Sequence, residues 1–189
     1  MDQEAVLDAF RRSGALLDGH FKLTSGLHSP RYLQCALVLQ YPDMAAALGA
    51  ALGERTQHLQ PTAVLSPALG GIVIGHEVAR ALGVRALFAE REETALRLRR
   101  GFTLESADRV LVVEDVLTTG GSTRETAAVA EAAGAQVVGA AAIVDRGDDP
   151  GRLGLPLQSL VQLAVPTYDP DDCPLCAAGI PLVKPGSRG

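Results

Sequence analysis

The residues best suited to chemistry lie in one run, Val110-Leu-Val-Val-Glu-Asp-Val-Leu-Thr-Thr-Gly-Gly-Ser-Thr123. Two adjacent acids, Glu114 and Asp115, follow an apolar stretch. Val116 and Leu117 separate them from Thr118, Thr119, Gly120, Gly121 and Ser122. Glycines let a backbone approach a ligand closely, while backbone N–H groups, hydroxyls and a helix N-terminus favour an anion. The run is therefore a phosphate cradle without a lysine. A P-loop would carry Gly-Lys, which occurs nowhere in the chain, and no two glycines have the G-x-G spacing of a dinucleotide-binding turn. Two acids beside a phosphate site repel a bare polyphosphate. They make sense as acceptors for sugar hydroxyls, or as groups that help place a magnesium ion bridging those hydroxyls and a pyrophosphate. A ribose 5-phosphate meets both demands, with hydroxyls on the acids and phosphate on the Thr/Gly loop.

Such a cradle has to sit at the carboxyl end of a strand and the start of a helix. Residues 110–113 hold no polar side chain, as expected of a strand covered on both faces, and a helix is expected over 122–133 with Gly134 ending it. The same rhythm surrounds them: strand 63–66, loop 67–71, helix 72–82 closed by Gly83, strand 84–89, a charged connection over 90–101, and strands at 136–144 and 159–165. Nearer the N-terminus, Asp2 is placed to cap a helix with Val6, Leu7 and Phe10 on one face. Strands are expected at 21–24 and 31–39 and a helix from Pro42. Cys35 falls within the second of those strands. The alternation implies an α/β fold, a central parallel sheet flanked by helices. The tail from Pro166, rich in Pro, Gly and Asp, reads as irregular. No internal repeat or long linker divides the 189 residues, which read as a single domain.

Bulk composition narrows the function classes. A net charge of −5 lacks the basic face that a general nucleic-acid binder needs, though local arginine clusters can still hold small anions. No apolar run reaches the length of a membrane span, and the acidic start Met1-Asp-Gln-Glu is unlike a signal peptide. Three cysteines give no disulfide framework. A reduced, cytoplasmic protein with no membrane and no nucleic-acid partner is expected.

The acidic pair followed by a Thr/Gly loop resembles the signature of the type I phosphoribosyltransferases. Within that family the chain is most similar to the enzymes that use orotate. Phe21-Lys-Leu-Thr-Ser-Gly-Leu-His-Ser-Pro-Arg-Tyr-Leu-Gln34 resembles their N-terminal hood, Ser66-Pro-Ala-Leu-Gly-Gly71 their pyrophosphate loop, and Ile143-Val-Asp-Arg-Gly147 their base-contacting strand end. The ending from Cys173 to Arg188 resembles one subgroup. The resemblance covers nearly the whole chain. It implies a hood formed by residues 1–40 with the tail 166–189, and phosphoribosyl pyrophosphate (PRPP) contacts along Glu114, Asp115, Val116, Leu117, Thr118, Thr119, Gly120, Gly121 and Ser122. It further implies orotate contacts at Thr118 and Arg146, because a fixed arginine is the natural bidentate partner of a carboxylate. Tyr32 and Leu33 are expected near the base. Ala68, Leu69, Gly70 and Gly71 would face the pyrophosphate, with a non-proline cis peptide at Ala68–Leu69. Magnesium is the implied cofactor, held by PRPP near Asp115 without a dedicated protein ligand, and a homodimer with shared sites is the implied assembly.

The chain departs from that family in two places. Better-known members close a loop bearing Lys and His over the site. Here residues 91–100 contain neither, and Thr24 stands where those enzymes have a hood lysine. Arg91, Arg97, Arg99 and Arg100 are the candidates to take over the pyrophosphate. Cys173 and Cys176 have the C-x-x-C spacing of half a zinc site or a redox pair. Within one chain no second cysteine pair or nearby histidine is expected to complete four ligands, so two tails meeting across a dimer axis, or a plain tail turn, remain the alternatives. For the function itself the competitors are a purine-type salvage enzyme, which has less reason to face Arg146 with a carboxylate, and a non-catalytic PRPP-sensing regulator, which would want a basic face.

Overall fold

The computed structural model describes residues 1–23, 25–147, 149 and 151–185. Thr24 and the end of the tail, Arg188 included, lie outside the described residues. The chain opens with α1 (Gln3–Arg12), whose cap is Asp2: its carboxylate accepts the Ala5 N–H at 2.9 Å. A hairpin follows, β1 (Leu16–Lys22) antiparallel to β2 (His28–Leu33), then the short helix α2 (Ala36–Leu39) and α3 (Pro42–Thr56). From there strands and helices alternate: β3 (Ala63–Pro67), α4 (Gly70–Leu82), β4 (Arg85–Glu92), β5 (Ala95–Leu98), β6 (Arg109–Leu117), α5 (Gly121–Ala132), β7 (Gln136–Asp145) and β8 (Leu157–Gln162).

The main sheet has the order β5-β4-β3-β6-β7-β8 and is parallel except for β5, which runs antiparallel to β4. Its central strands β3, β6 and β7 are apolar on both faces over most of their length because both faces are covered. In β6, Leu111 and Val113 join the core under α1, α3 and α4, while Val110 and Val112 join the core under α5; β3 splits Val64 from Ala63 and Leu65 in the same way. From β3 the chain moves outward to β4, then returns to lay β6 on the other side of β3. That reversal opens a crevice between the carboxyl ends of β3 and β6, the place where open α/β sheets bind ligands.

Four expectations need correction. The stretch 31–39 is not one strand: it ends at Leu33 and turns into α2, because Cys35, Val38 and Leu39 reach the core three and four residues apart, as a helix places them. Cys35 is buried there at the start of α2, not in a strand. The charged connection 90–101 is largely sheet, since β4 runs on to Glu92 and folds back as β5, with Leu96 buried and the flanking Arg97 exposed. The tail is also more ordered than its composition suggests. Tyr168 pairs with His28 on one edge of the hairpin, Val183 pairs with Phe21 on the other, and a helical turn, α6 (Pro174–Ala177), lies between them in sequence. Among the described residues no helix is long and apolar enough to cross a membrane.

Candidate active site

Two loops line the crevice. The first follows β3, where the Ala68–Leu69 peptide is cis, as expected for this stretch. The second follows β6 and enters α5 through Gly120, which sits in the left-handed region at φ 76°. A side chain there is strained in backbone and in space, since a Cβ would lie 2.4 Å from Leu153 Cδ2. The two loops nearly touch: a Cβ on Gly70 would sit 2.9 Å from Asp115 Oδ2. Glycine at 70 therefore lets the β3 loop close onto the acid pair.

The acids themselves extend β6 beyond its apolar run. Glu114 accepts the Ser122 and Thr123 hydroxyls, each at 2.6 Å, so one carboxylate ties the strand end to the first turn of α5. Two lone-pair positions remain on it for further donors. Asp115 Oδ1 accepts the Val116 N–H at 2.9 Å. Burial pushes the Glu114 carboxyl above the ordinary carboxylate range; the Ser122 and Thr123 hydroxyls pull it back, and the neighbouring Asp115 charge adds to the rise. Burial likewise raises Asp115, against the pull of backbone N–H groups. Two partly desolvated acids side by side favour a ligand that brings hydroxyl donors or a cation.

Beneath the Thr/Gly loop lies a set of cations that carries no motif in the sequence. Arg152 donates to the Thr118 carbonyl at 3.0 Å and pairs with the buried Asp145 carboxylate. Arg124 donates to the Thr119 carbonyl at 2.9 Å. Asp145 also accepts the Gly147 N–H at 2.9 Å. These contacts occupy the Thr118 and Thr119 carbonyls and hold the loop in place, and the start of α5 offers N–H groups that suit an anion.

Arg146 follows β7, anchored by its N–H to the Leu117 carbonyl at 2.8 Å. Its side chain is half-buried, burial lowers the guanidinium below its ordinary value, and its Nε is buried without a hydrogen-bond partner among the described residues. It lines a cavity of about 460 Å³ together with Thr118, Thr119, Arg152, Leu23 and Leu27. The hood thus contributes the turn between β1 and β2 to this wall. Tyr32 and Leu33 are not part of it: Tyr32 packs on Phe21, with ring centroids 5.9 Å apart, and Leu33 packs against the main core.

The four loop arginines are engaged elsewhere. Arg91 makes a two-pronged pair with Glu125 of α5, and Arg100 one with Glu90 while lying over the Phe88 ring. Arg97 and Arg99 share Glu92 at 3.3 and 3.8 Å, on exposed side chains. The expectation that Cys173 and Cys176 lack a histidine within the chain is overturned. His20 and His28 of the hood bring ring nitrogens to them, and the four donor atoms lie within 4.8 Å of one another. The histidines stand about 150 residues before the cysteines, so only the pairing of tail with hood reveals the group.

A family model described as "Phosphoribosyl transferase domain" matches residues 37–153, which contain both crevice loops. An orotate phosphoribosyltransferase of Desulforamulus reducens is 50% identical over 188 residues, covering 100% of this chain and 98% of that protein. One of Pelotomaculum thermopropionicum is 51% identical, covering 100% and 99%. The crystal structure of orotate phosphoribosyltransferase from Aeropyrum pernix superimposes with a TM-score of 0.71 at 28% identity, covering 84% of this chain and 93% of that one. The chain belongs to the phosphoribosyltransferase family, on its orotate phosphoribosyltransferase branch.

Proposed function

We propose that this chain transfers the 5-phosphoribosyl group of PRPP to orotate, giving orotidine 5′-monophosphate and pyrophosphate in the synthesis of UMP. The observation that carries the choice of acceptor is Arg146, whose buried Nε has no partner among the described residues and whose side chain lines the same cavity as Thr118. A carboxylate-bearing base supplies a charged acceptor that pairs with a guanidinium, whereas a neutral purine offers only uncharged ring-nitrogen or carbonyl acceptors. Glu114 and Asp115 hold the ribose hydroxyls, the backbone N–H groups of residues 118–122 hold the 5-phosphate, and the loop of Ala68, Leu69, Gly70 and Gly71 faces the pyrophosphate.

The bond broken joins the anomeric carbon to the pyrophosphate oxygen, and the carbon gains oxocarbenium character as the leaving group departs. The orotate ring nitrogen is already nucleophilic in the anion, so no side chain is assigned as general base. The chain acts by placement and charge. Hard oxygen donors beside two acids with raised proton affinity suit magnesium, which when bound neutralises charge on the pyrophosphate. Among the loop arginines, Arg97 and Arg99 are the ones to reach the pyrophosphate, because their shared contact with Glu92 is long and solvent-exposed, whereas Arg91 and Arg100 are each held by two prongs.

A homodimer fits an apolar feature beside the acids. Leu69 is 84% exposed, and with Val73, Ala36, Leu39 and Asp115 it lines a second cavity of about 350 Å³. A subunit packed there would bury Leu69 and lie against the site. Cytoplasmic location suits the phosphorylated substrates and the reduced thiols. The assay that tests the reading supplies magnesium, PRPP and one base at a time and follows pyrophosphate release. Release with orotate is expected; release with adenine or hypoxanthine but not orotate would sink it, and failure to release pyrophosphate with any of the bases would indicate a PRPP sensor.

A further inference from the structure

The hood and the tail meet at a cluster that the transfer reaction does not use. His20 on β1, His28 on β2, Cys173 at the cap of α6 and Cys176 within its single turn converge from three segments. His20 Nε2 lies 3.0 Å from His28 Nδ1, 3.6 Å from Cys173 Sγ and 3.8 Å from Cys176 Sγ, and Cys176 Sγ lies 3.3 Å from His28 Nδ1. Zinc bonds of about 2.3 Å to sulfur and about 2.05 Å to nitrogen give a tetrahedron with N···N, N···S and S···S edges of about 3.4, 3.6 and 3.8 Å. Four of the six separations, 3.0 to 3.8 Å, lie near such edges, and all six fall within 4.8 Å, a set that closes onto one ion with small side-chain shifts.

Proton counting leads to the same place. His20 Nδ1 lies 2.8 Å from the Ile180 carbonyl, which can only accept, so that nitrogen carries the hydrogen and Nε2 offers a lone pair inward. One lone pair accepts one good hydrogen bond, yet three possible donors crowd it. His20, His28 and Cys173 are 2%, 5% and 5% exposed, so water does not relieve the crowding. A cation satisfies all four donors at once, and a carbonyl behind one histidine is the usual outer-shell support of a metal-bound imidazole. Two thiolates and two imidazoles select zinc over magnesium or calcium, and four protein ligands leave no open position for catalysis.

We propose that His20 Nε2, His28 Nδ1, Cys173 Sγ and Cys176 Sγ bind one structural zinc ion that clamps the tail to the hood. The clamp reinforces a weak element. A two-stranded hairpin is marginal alone, and here its edges are held by single-residue pairings, Val183 with residues 20 and 22 and Tyr168 with His28. The turn between the two histidines carries Leu23, Ser25 and Leu27, which wall the Arg146 cavity. Zinc thus fixes the hood side of that cavity without touching substrate.

The full-length protein, produced in zinc-supplemented medium, is tested by elemental analysis after desalting. About one zinc per chain is expected. Cobalt exchanged into the same protein should show the visible absorption of tetrahedral thiolate-ligated Co²⁺. Cys176→Ser, at the exposed rim, and Cys173→Ser should each lose most of the metal, while Cys35→Ser keeps it. Zinc-free protein after zinc reconstitution, a Cys173–Cys176 disulfide in freshly purified protein, or undiminished zinc in both tail-cysteine variants would overturn the proposal. Because the readout is metal content, it stands or falls separately from the choice of base.

Discussion

The two halves of the site are built in opposite ways. The donor half, Glu114 to Thr123, is one contiguous run of strand, loop and helix start, and its key contacts span eight and nine residues. The acceptor half joins Arg146 after β7, the turn between β1 and β2, and residues Val165 and Thr167 where the tail begins. Its hood is then held by contacts of more than 150 residues in separation. A site made by one local run keeps its geometry wherever the sheet forms. A site assembled from distant segments depends on each closure, and the proposed function places specificity for the base there.

The largest effect that would break this comparison comes from the donor half. Asp115→Asn should lower kcat by about a thousandfold, about 4 kcal/mol of barrier, with little change in thermal stability. The fold should not suffer, because burial already disfavours the Asp115 charge. An unchanged rate in steady-state kinetics would remove the sugar-holding role. Next is the support beneath the loop. Arg152→Ala strands a buried Asp145 carboxylate and should cost about 3 kcal/mol, read as a lower midpoint in denaturant unfolding. Adding Asp145→Asn should restore part of it; no restoration would mean that the pair is not what Arg152 supplies. The smallest effect sharpens the choice among the arginines. Arg99→Ala should raise the KM for PRPP by about tenfold, roughly the loss of one charged contact. Arg91→Ala should leave it nearly unchanged, and the reverse ranking would assign the pyrophosphate to the arginine now paired with Glu125.

The same contrast explains what could be read from the sequence. The apolar run 110–113, the acids and the Thr/Gly loop announce a buried strand ending in a sugar-phosphate cradle, because every determinant is local. Strand β5 was hidden by its charges, although Leu96 and Leu98 alternate with Ala95 and Arg97 as an edge strand requires. Arg152 and Arg124 gave no signal: an arginine in a loop or on a helix surface has no pattern until the carbonyls above it are placed. The histidine pair was invisible for the same reason as the tail pairing, since nothing local in Gly19-His-Phe or Leu27-His-Ser points to Cys173. The hood's contribution is expected at Tyr32 and Leu33 and instead falls on the turn before them, because Tyr32 packs on Phe21 and Leu33 on the main core.

The division of labour between the halves is tested most directly by the Michaelis constants of Arg146→Ala for each substrate. Losing the partner of a buried carboxylate should weaken orotate by about 2–5 kcal/mol, a rise in its KM of at least about thirtyfold, with the KM for PRPP within about twofold of the wild type. A rise confined to PRPP, with orotate unchanged, would contradict the assignment of Arg146 to the base and with it the account of the acceptor half.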